Sequence, residues 1–112
     1  MLELTSKELR RCDLVTAEGR IDSATAPDLQ RTFESLTDAG RYKLILNLSK
    51  VNFVSSAGLR QLIDTLKTCK RMNRGNLVLS EVPDNIQEVL KLAGLYNLFQ
   101  IYKNDVDAVG GF

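Results

Sequence analysis

The stretch Lys43–Arg60, KLILNLSKVNFVSSAGLR, changes its hydrophobic period part-way along. Leu44, Ile45, Leu46 and Leu48 make residues 44–48 apolar at four of five positions. That density predicts a strand covered on both faces and placed centrally in a sheet. A short polar link then leads into Val51-Asn52-Phe53-Val54. After Ser55-Ser56-Ala57-Gly58, the residues Leu59, Leu62, Ile63, Leu66 and Cys69 recur at spacings of three and four, so a helix with one buried face follows. A strand thus delivers two serines to a helix start. Unpaired backbone N–H groups and the positive end of the helix dipole favour phosphate there.

Working outward, Leu2, Leu4 and Leu9 suggest a first strand, Arg10-Arg11-Cys12-Asp13 a turn, and Leu14–Glu18 a second strand closed by Gly19. The loop Arg20–Pro27 runs into a helix with an apolar stripe of Leu29, Phe33 and Leu36, stopped by Gly40. Thr25 followed by Asp28 has the spacing of a capping box, and Pro27 is tolerated in the first turn. The helix that begins at Ser56 or Ala57 is expected to run to Met72, with Gly75 as its stop. Its basic end (Lys67, Lys70, Arg71, Arg74) complements the helix dipole.

Leu77–Ser80 gives a fourth strand, and Pro83-Asp84 opens a third helix carrying Ile86, Val89 and Leu90 and ended by Gly94. A last short strand lies around Gln100–Tyr102, Asn104–Val109 forms a final helical turn, and Gly110–Phe112 is expected to fray. The order is β-β-α-β-α-β-α-β, with an optional last α. It implies an α/β domain spanning 1–112, with a mixed, mainly parallel sheet of four to five strands covered by helices.

Composition narrows the function classes. Fifteen basic and 14 acidic residues leave a net charge of +1, which favours neither nucleic acid nor a membrane surface. No apolar run approaches the length of a membrane span. Cys12 and Cys69 lack metal-ligand spacing and suggest reduced thiols in a cytoplasmic protein, Cys69 as core packing. The chain has no histidine, which removes a Ser-His-Asp triad, a Cys-His pair and any His-containing metal site. A nucleophile elbow would need glycine where Val54 stands, and a lysine base is the alternative left to a serine enzyme. No glycine-rich phosphate loop of the GxxxxGK[ST] type is present.

Three places could carry function: Gly19-Arg20-Ile21-Asp22, Ser55-Ser56-Ala57-Gly58 and Ala93-Gly94-Leu95. Locally each has a plain structural explanation, respectively a turn carboxylate, a helix cap and a glycine stop. Taken together with Thr25-Ala26, Leu46-Asn47-Leu48 and Leu59, they resemble the STAS domain of bacterial anti-sigma factor antagonists, in order and over nearly the whole chain.

The resemblance implies a phosphoacceptor at Ser56, with Ser55 as second candidate, and a partner-binding surface of Asp22, Ser23, Thr25, Ser55, Ser56, Ala57, Gly58 and Leu59. Ser55 stands where that family usually has aspartate, and Ala57 where it often has serine or threonine. The implied partners are an anti-sigma factor serine kinase and a PP2C-type phosphatase. ATP and Mg²⁺ would be held by the kinase, and the chain itself would need no catalytic residue, cofactor or metal. The alternative is a STAS scaffold subunit, without phosphorylation, in a signalling or lipid-transport complex.

Overall fold

The computed structural model describes residues 1–112. The elements are β1 (Leu2–Glu8), β2 (Asp13–Ile21), α1 (Ala26–Asp38), β3 (Lys43–Val54), α2 (Ser56–Lys70), β4 (Asn76–Ser80), α3 (Asp84–Leu92), β5 (Ile101–Tyr102) and α4 (Asp105–Gly110). The strands form one sheet in the order β1-β2-β3-β4-β5. Only β1 and β2 pair antiparallel, and the other three pairings are parallel. This is the mixed, mainly parallel sheet that the alternation of elements implied.

β3 is central, as its apolar density predicted. Leu44, Leu46 and Leu48 face the larger core, where they meet Leu29 and Phe33 of α1, Leu62 and Leu66 of α2, and Ile86 and Leu90 of α3. Ile45 faces the other way, into a small cluster with Cys12, Val78 and Ala108 that Tyr102, Val109 and Phe112 also pack against. Three helices therefore cover one face and the short α4 covers part of the other. Each fully buried Leu, Ile or Phe contributes roughly 1.5–3 kcal/mol. Cys69 is fully buried in the larger core. Burial pushes its thiol up to about 11.

Several boundaries differ from the sequence expectation. β3 does not stop at Leu48 but continues to Val54. Its pairing with β2 shifts register between Thr16 and Glu18 and again between Gly19 and Arg20, and at each shift β3 holds one residue more than β2. Two bulges thus break the alternation of side chains and make a continuous strand look like a polar link. β2 likewise continues past Gly19 to Ile21. Gly19 sits at φ +118°, and a Cβ there would lie 2.2 Å from the main-chain oxygen of Met1, so only glycine fits.

The expected capping box does not form. Thr25 places no side-chain bond on α1, because its hydroxyl serves the preceding loop, and Asp28 pairs with Arg31 instead. α2 ends at Lys70, and the left-handed residue beyond it is Arg74 (φ 62°) rather than Gly75. The absent side chain of Gly75 leaves room for the carbonyl of Cys69. The stops at Gly40 and Gly94 form as expected, with Arg41 and Leu95 donating back to Leu36 and Leu90 at 2.9 and 2.8 Å. The expected fraying at the C-terminal end is corrected by packing: Phe112 rests on the small cluster, and its main-chain oxygen accepts from Arg11 at 3.3 Å.

Candidate functional site

The ends of β2 and β3 bring two of the three sequence-selected places together. The amide of Ser55 donates to the carbonyl of Ile21 at 2.8 Å, which ties the start of α2 to the end of β2. Gly58, in the first turn of α2, packs so closely on this junction that a Cβ would meet Ile21 Cγ2 at 2.5 Å and Val54 Cγ1 at 3.0 Å. Glycine is required here for proximity, not for its dihedral freedom. Asp22 follows Ile21 directly, so its loop lies beside the two serines. The third place, Ala93-Gly94-Leu95, forms the C-terminal stop of α3 and supplies nothing to this junction.

The two serines do different things. Ser55 is the N-cap of α2: it is extended (φ −87°, ψ 174°), and its Oγ accepts from the amide of Gly58 at 3.3 Å. Serine and aspartate are comparable N-caps, so Ser55 caps α2 as an aspartate would, without the charge. Ser56 is the first helical residue and is exposed. The amides of Ser56 and Ala57 have no acceptor within the chain, and the first turn of α2 contains no acidic residue. This helix start is a surface hydroxyl beside two free N–H groups, at a positive dipole end with no acidic residue in its own first turn.

The neighbouring loop is locked by its own side chains. Thr25, only 7% exposed, donates from Oγ1 to the carbonyl of Arg20 at 2.8 Å and accepts from the amide of Asp22 at 2.9 Å. Asp22 Oδ1 accepts from the amides of Ala24 and Thr25 at 3.0 and 3.1 Å. The Thr25 amide, with help from that of Ala24, the Thr25 hydroxyl and the Arg20 charge, holds the Asp22 carboxyl below its ordinary 3.8 against an opposing desolvation effect. Ser23 and Ala24 form the exposed tip.

Two residues outside the expected partner-binding set, Arg20 and Phe53, complete the surface. Arg20 pairs in register with Phe53, and its guanidinium lies 4.3 Å from the centre of the Phe53 ring. Its Nε also lies 3.6 Å from Asp22 Oδ2. Phe53 is 38% exposed, a large apolar group at the end of a strand that a partner could cover. The bulge between Val51 and Phe53 is what turns the ring outward, and no pattern of residue types announces it. Of the sequence-selected residues, Asp22, Ser23, Ser55, Ser56 and Ala57 are at least partly exposed. Thr25, Gly58 and Leu59 are buried and support the surface from beneath.

With this arrangement in place, residues 3–108 match the STAS domain family. The chain belongs to that family. Along 111 residues, this STAS domain is 26% identical to BtrV, a candidate anti-sigma factor antagonist of Bordetella bronchiseptica, covering 99% of this chain and 95% of BtrV. Among solved structures it resembles an anti-sigma factor antagonist from Mycobacterium paratuberculosis (TM-score 0.85, 22% identity, 99% of this chain and 93% of that one). It also resembles the anti-sigma factor antagonist SpoIIAA in its unphosphorylated form (TM-score 0.80, 14% identity, 98% of both chains). The phosphorylated form of SpoIIAA, from Bacillus, superposes with a TM-score of 0.75 (14% identity, 96% of this chain and 97% of that one). No helix of this STAS domain is long and apolar enough to cross a membrane.

Proposed function

We propose that this STAS domain is an anti-sigma factor antagonist switched at Ser56. In its unmodified state the surface made by Ser56, the Asp22–Thr25 loop and the Arg20–Phe53 pair binds a kinase-type anti-sigma factor, which then releases a sigma factor. The kinase, holding ATP and Mg²⁺, transfers the γ-phosphoryl group to Ser56 Oγ. The hydroxyl proton goes to a base on the kinase, and ADP leaves. A PP2C-type phosphatase hydrolyses the phosphoserine and restores binding.

The observation that carries this reading is the division of labour between the serines. Ser55 Oγ is occupied as the cap of Gly58, while Ser56 Oγ stands at the surface. Phosphorylation adds about −1.5 to −2 charges. At the start of α2 the dipole and the free Ser56 and Ala57 amides compensate that charge, so the fold survives. A contact surface shaped for a hydroxyl does not tolerate it. Losing about 3 kcal/mol of affinity weakens binding more than a hundred-fold, enough for a switch.

The test is to incubate the protein with its kinase and ATP and map the phosphate by mass spectrometry. Labelling at Ser56, and lost kinase binding in Ser56→Asp, are expected. Phosphate elsewhere, or a Ser56→Asp variant that binds undiminished, would refute the switch. The scaffold alternative predicts protein that remains unmodified in its own cells and co-purifies with a large complex or a transporter.

A further inference from the structure

At the end of the sheet opposite Ser56, the N-terminal ends of β2 and β3 border a cleft of about 610 Å³. Asp13 opens β2 and Ile21 closes it. At about 3.3 Å per residue the cleft and the serine surface are therefore roughly 26 Å apart. Three loops and a strand start converge on the cleft. Arg10 and Arg11 come from the β1–β2 turn, Arg41 from the α1–β3 loop, Lys43 from the start of β3, and Arg74 from the α2–β4 loop. Against these five cations the lining holds one carboxylate, Asp13, for a side-chain charge of +4 in a chain whose net charge is +1.

The carboxylate is already committed. Asp13 is buried and accepts from Arg41 Nε at 2.6 Å, while Arg41 also donates to the carbonyl of Leu9 at 3.3 Å. Arg41 is thereby fixed as a wall of the cleft. Arg10, Arg11, Lys43 and Arg74 take part in none of the chain's ion pairs. Arg11 has a single hydrogen bond, to the main-chain oxygen of Phe112. Arg74 in addition occupies the left-handed region, which glycine or asparagine would take with less strain. Arg10, Lys43 and Arg74, which have neither an ion-pair nor a side-chain hydrogen-bond partner, are brought to one concavity with Arg11 and Arg41, and an anion in the cleft would relieve their repulsion.

We infer that this cleft binds a small anion carrying two or more phosphate groups. Its volume lies in the range of small-molecule sites. Guanidinium forks match phosphate oxygens two at a time. A chain of phosphates concentrates several negative charges within a few atoms, as the cleft concentrates positive ones. An acidic peptide would spread its carboxylates along a backbone, and a nucleic-acid duplex needs an extended basic track that a near-neutral chain lacks.

The experiment titrates inorganic tripolyphosphate into the full chain, following heat of binding and backbone amide shifts. Amide shifts should cluster at residues 10–13, 40–43 and 73–74, and binding should weaken with added salt. The double variant Arg10→Ala/Arg74→Asn should bind about ten-fold or more weakly. Lys103→Ala, an exposed cation elsewhere, should bind as the unaltered chain does. Asparagine suits the left-handed position, so the double variant should keep its melting temperature and its loss will report on charge. Shifts absent or clustered elsewhere, equal affinity of the double variant, or tighter binding of a poly-glutamate peptide or duplex DNA at the same amides would each overturn the inference.

Discussion

Replacing Gly58 by alanine tests whether the serine surface depends on contact between α2 and the end of β2. The new Cβ would lie 2.5 Å from Ile21 Cγ2, 3.0 Å from Val54 Cγ1 and 3.2 Å from the Ile21 carbonyl. Ile21 is fully buried and β-branched, so its methyl has nowhere to rotate, and the carbonyl oxygen is backbone. Overpacking of this kind costs about 1–3 kcal/mol. Alanine recovers up to about 1 kcal/mol of that through its higher helix propensity. A 2.5 Å contact with a side chain that cannot rotate puts the cost at the upper end of that range, so a net destabilisation of about 1–2 kcal/mol should follow, lowering Tm by roughly 4–10 °C. Urea denaturation should show a lower midpoint with an unchanged slope, and amide shifts should move at Ile21, Asp22 and Ser55. Gly40→Ala is the companion measurement. It has φ +83° and no atom within 4 Å of the new Cβ, so its cost is conformational and its shifts stay local. A Gly58→Ala protein as stable as the parent, or one with no shift at Asp22, would refute the packing argument.

Ser55→Ala should lose the cap of α2 and about 1 kcal/mol of stability while still accepting phosphate, whereas Ser56→Ala should unfold within about 0.5 kcal/mol of the parent and accept none; denaturation and kinase assays on the two variants decide this. The Asp22 carboxyl is depressed in the folded chain, so its contribution to stability is present above 3.8 and disappears as pH falls through the lower folded value. An NMR titration of its side-chain carbon should have a midpoint below 3.8, and a midpoint at or above that value contradicts the hydrogen-bonded loop. Cys69, raised by burial from 9.0 to about 11, has the opposite sign: its contribution is complete below pH 9 and is lost as pH climbs towards 11. Both thiols should resist alkylation at pH 8 in the folded protein and react together on unfolding, and rapid labelling of native Cys69 would contradict its place in the core.

Element order was legible because it rests on periodicity and punctuation. The apolar run at Leu44–Leu48, the three-four spacing after Gly58 and the stops at Gly40 and Gly94 survive folding unchanged. What could not be read rests on registers. The two bulges of β3 are visible only against β2, so a twelve-residue strand looked like two pieces, and Phe53 gave no sign of facing outward beside Arg20. Thr25 illustrates the same gap. Its spacing to Asp28 fits a capping box, but its hydroxyl is taken by the Arg20 carbonyl and the Asp22 amide, and the Asp28 amide donates to the Thr25 carbonyl instead. A buried-edge network also escaped notice, in which Asn47 Nδ2 donates to Glu81 Oε2 and Asp105 Oδ1 at 3.0 and 2.9 Å and Ser80 Oγ donates to the same Asp105 oxygen at 2.7 Å. It joins residues up to 58 positions apart, beyond the reach of any local motif.

β4 pairs with β3 only from Lys43 to Asn47, so the seven residues Leu48–Val54 run on with a strand on one side alone. On the other side Asn85 of α3 donates to the carbonyl of Asn52 at 3.2 Å, a side-chain bond where a ladder would otherwise stand. A ladder constrains a strand collectively, since one misplaced residue shifts all that follow. A side-chain bond can be exchanged alone. In the half of β3 that leads to Ser56, the exposed residues Asn52 and Phe53 can thus change without disturbing a second ladder, while Leu48, Val51 and Val54 stay fixed in the core and the half between β2 and β4 keeps the sheet in register. The proposed recognition surface and the folding core therefore share one strand, interleaved residue by residue along its second half.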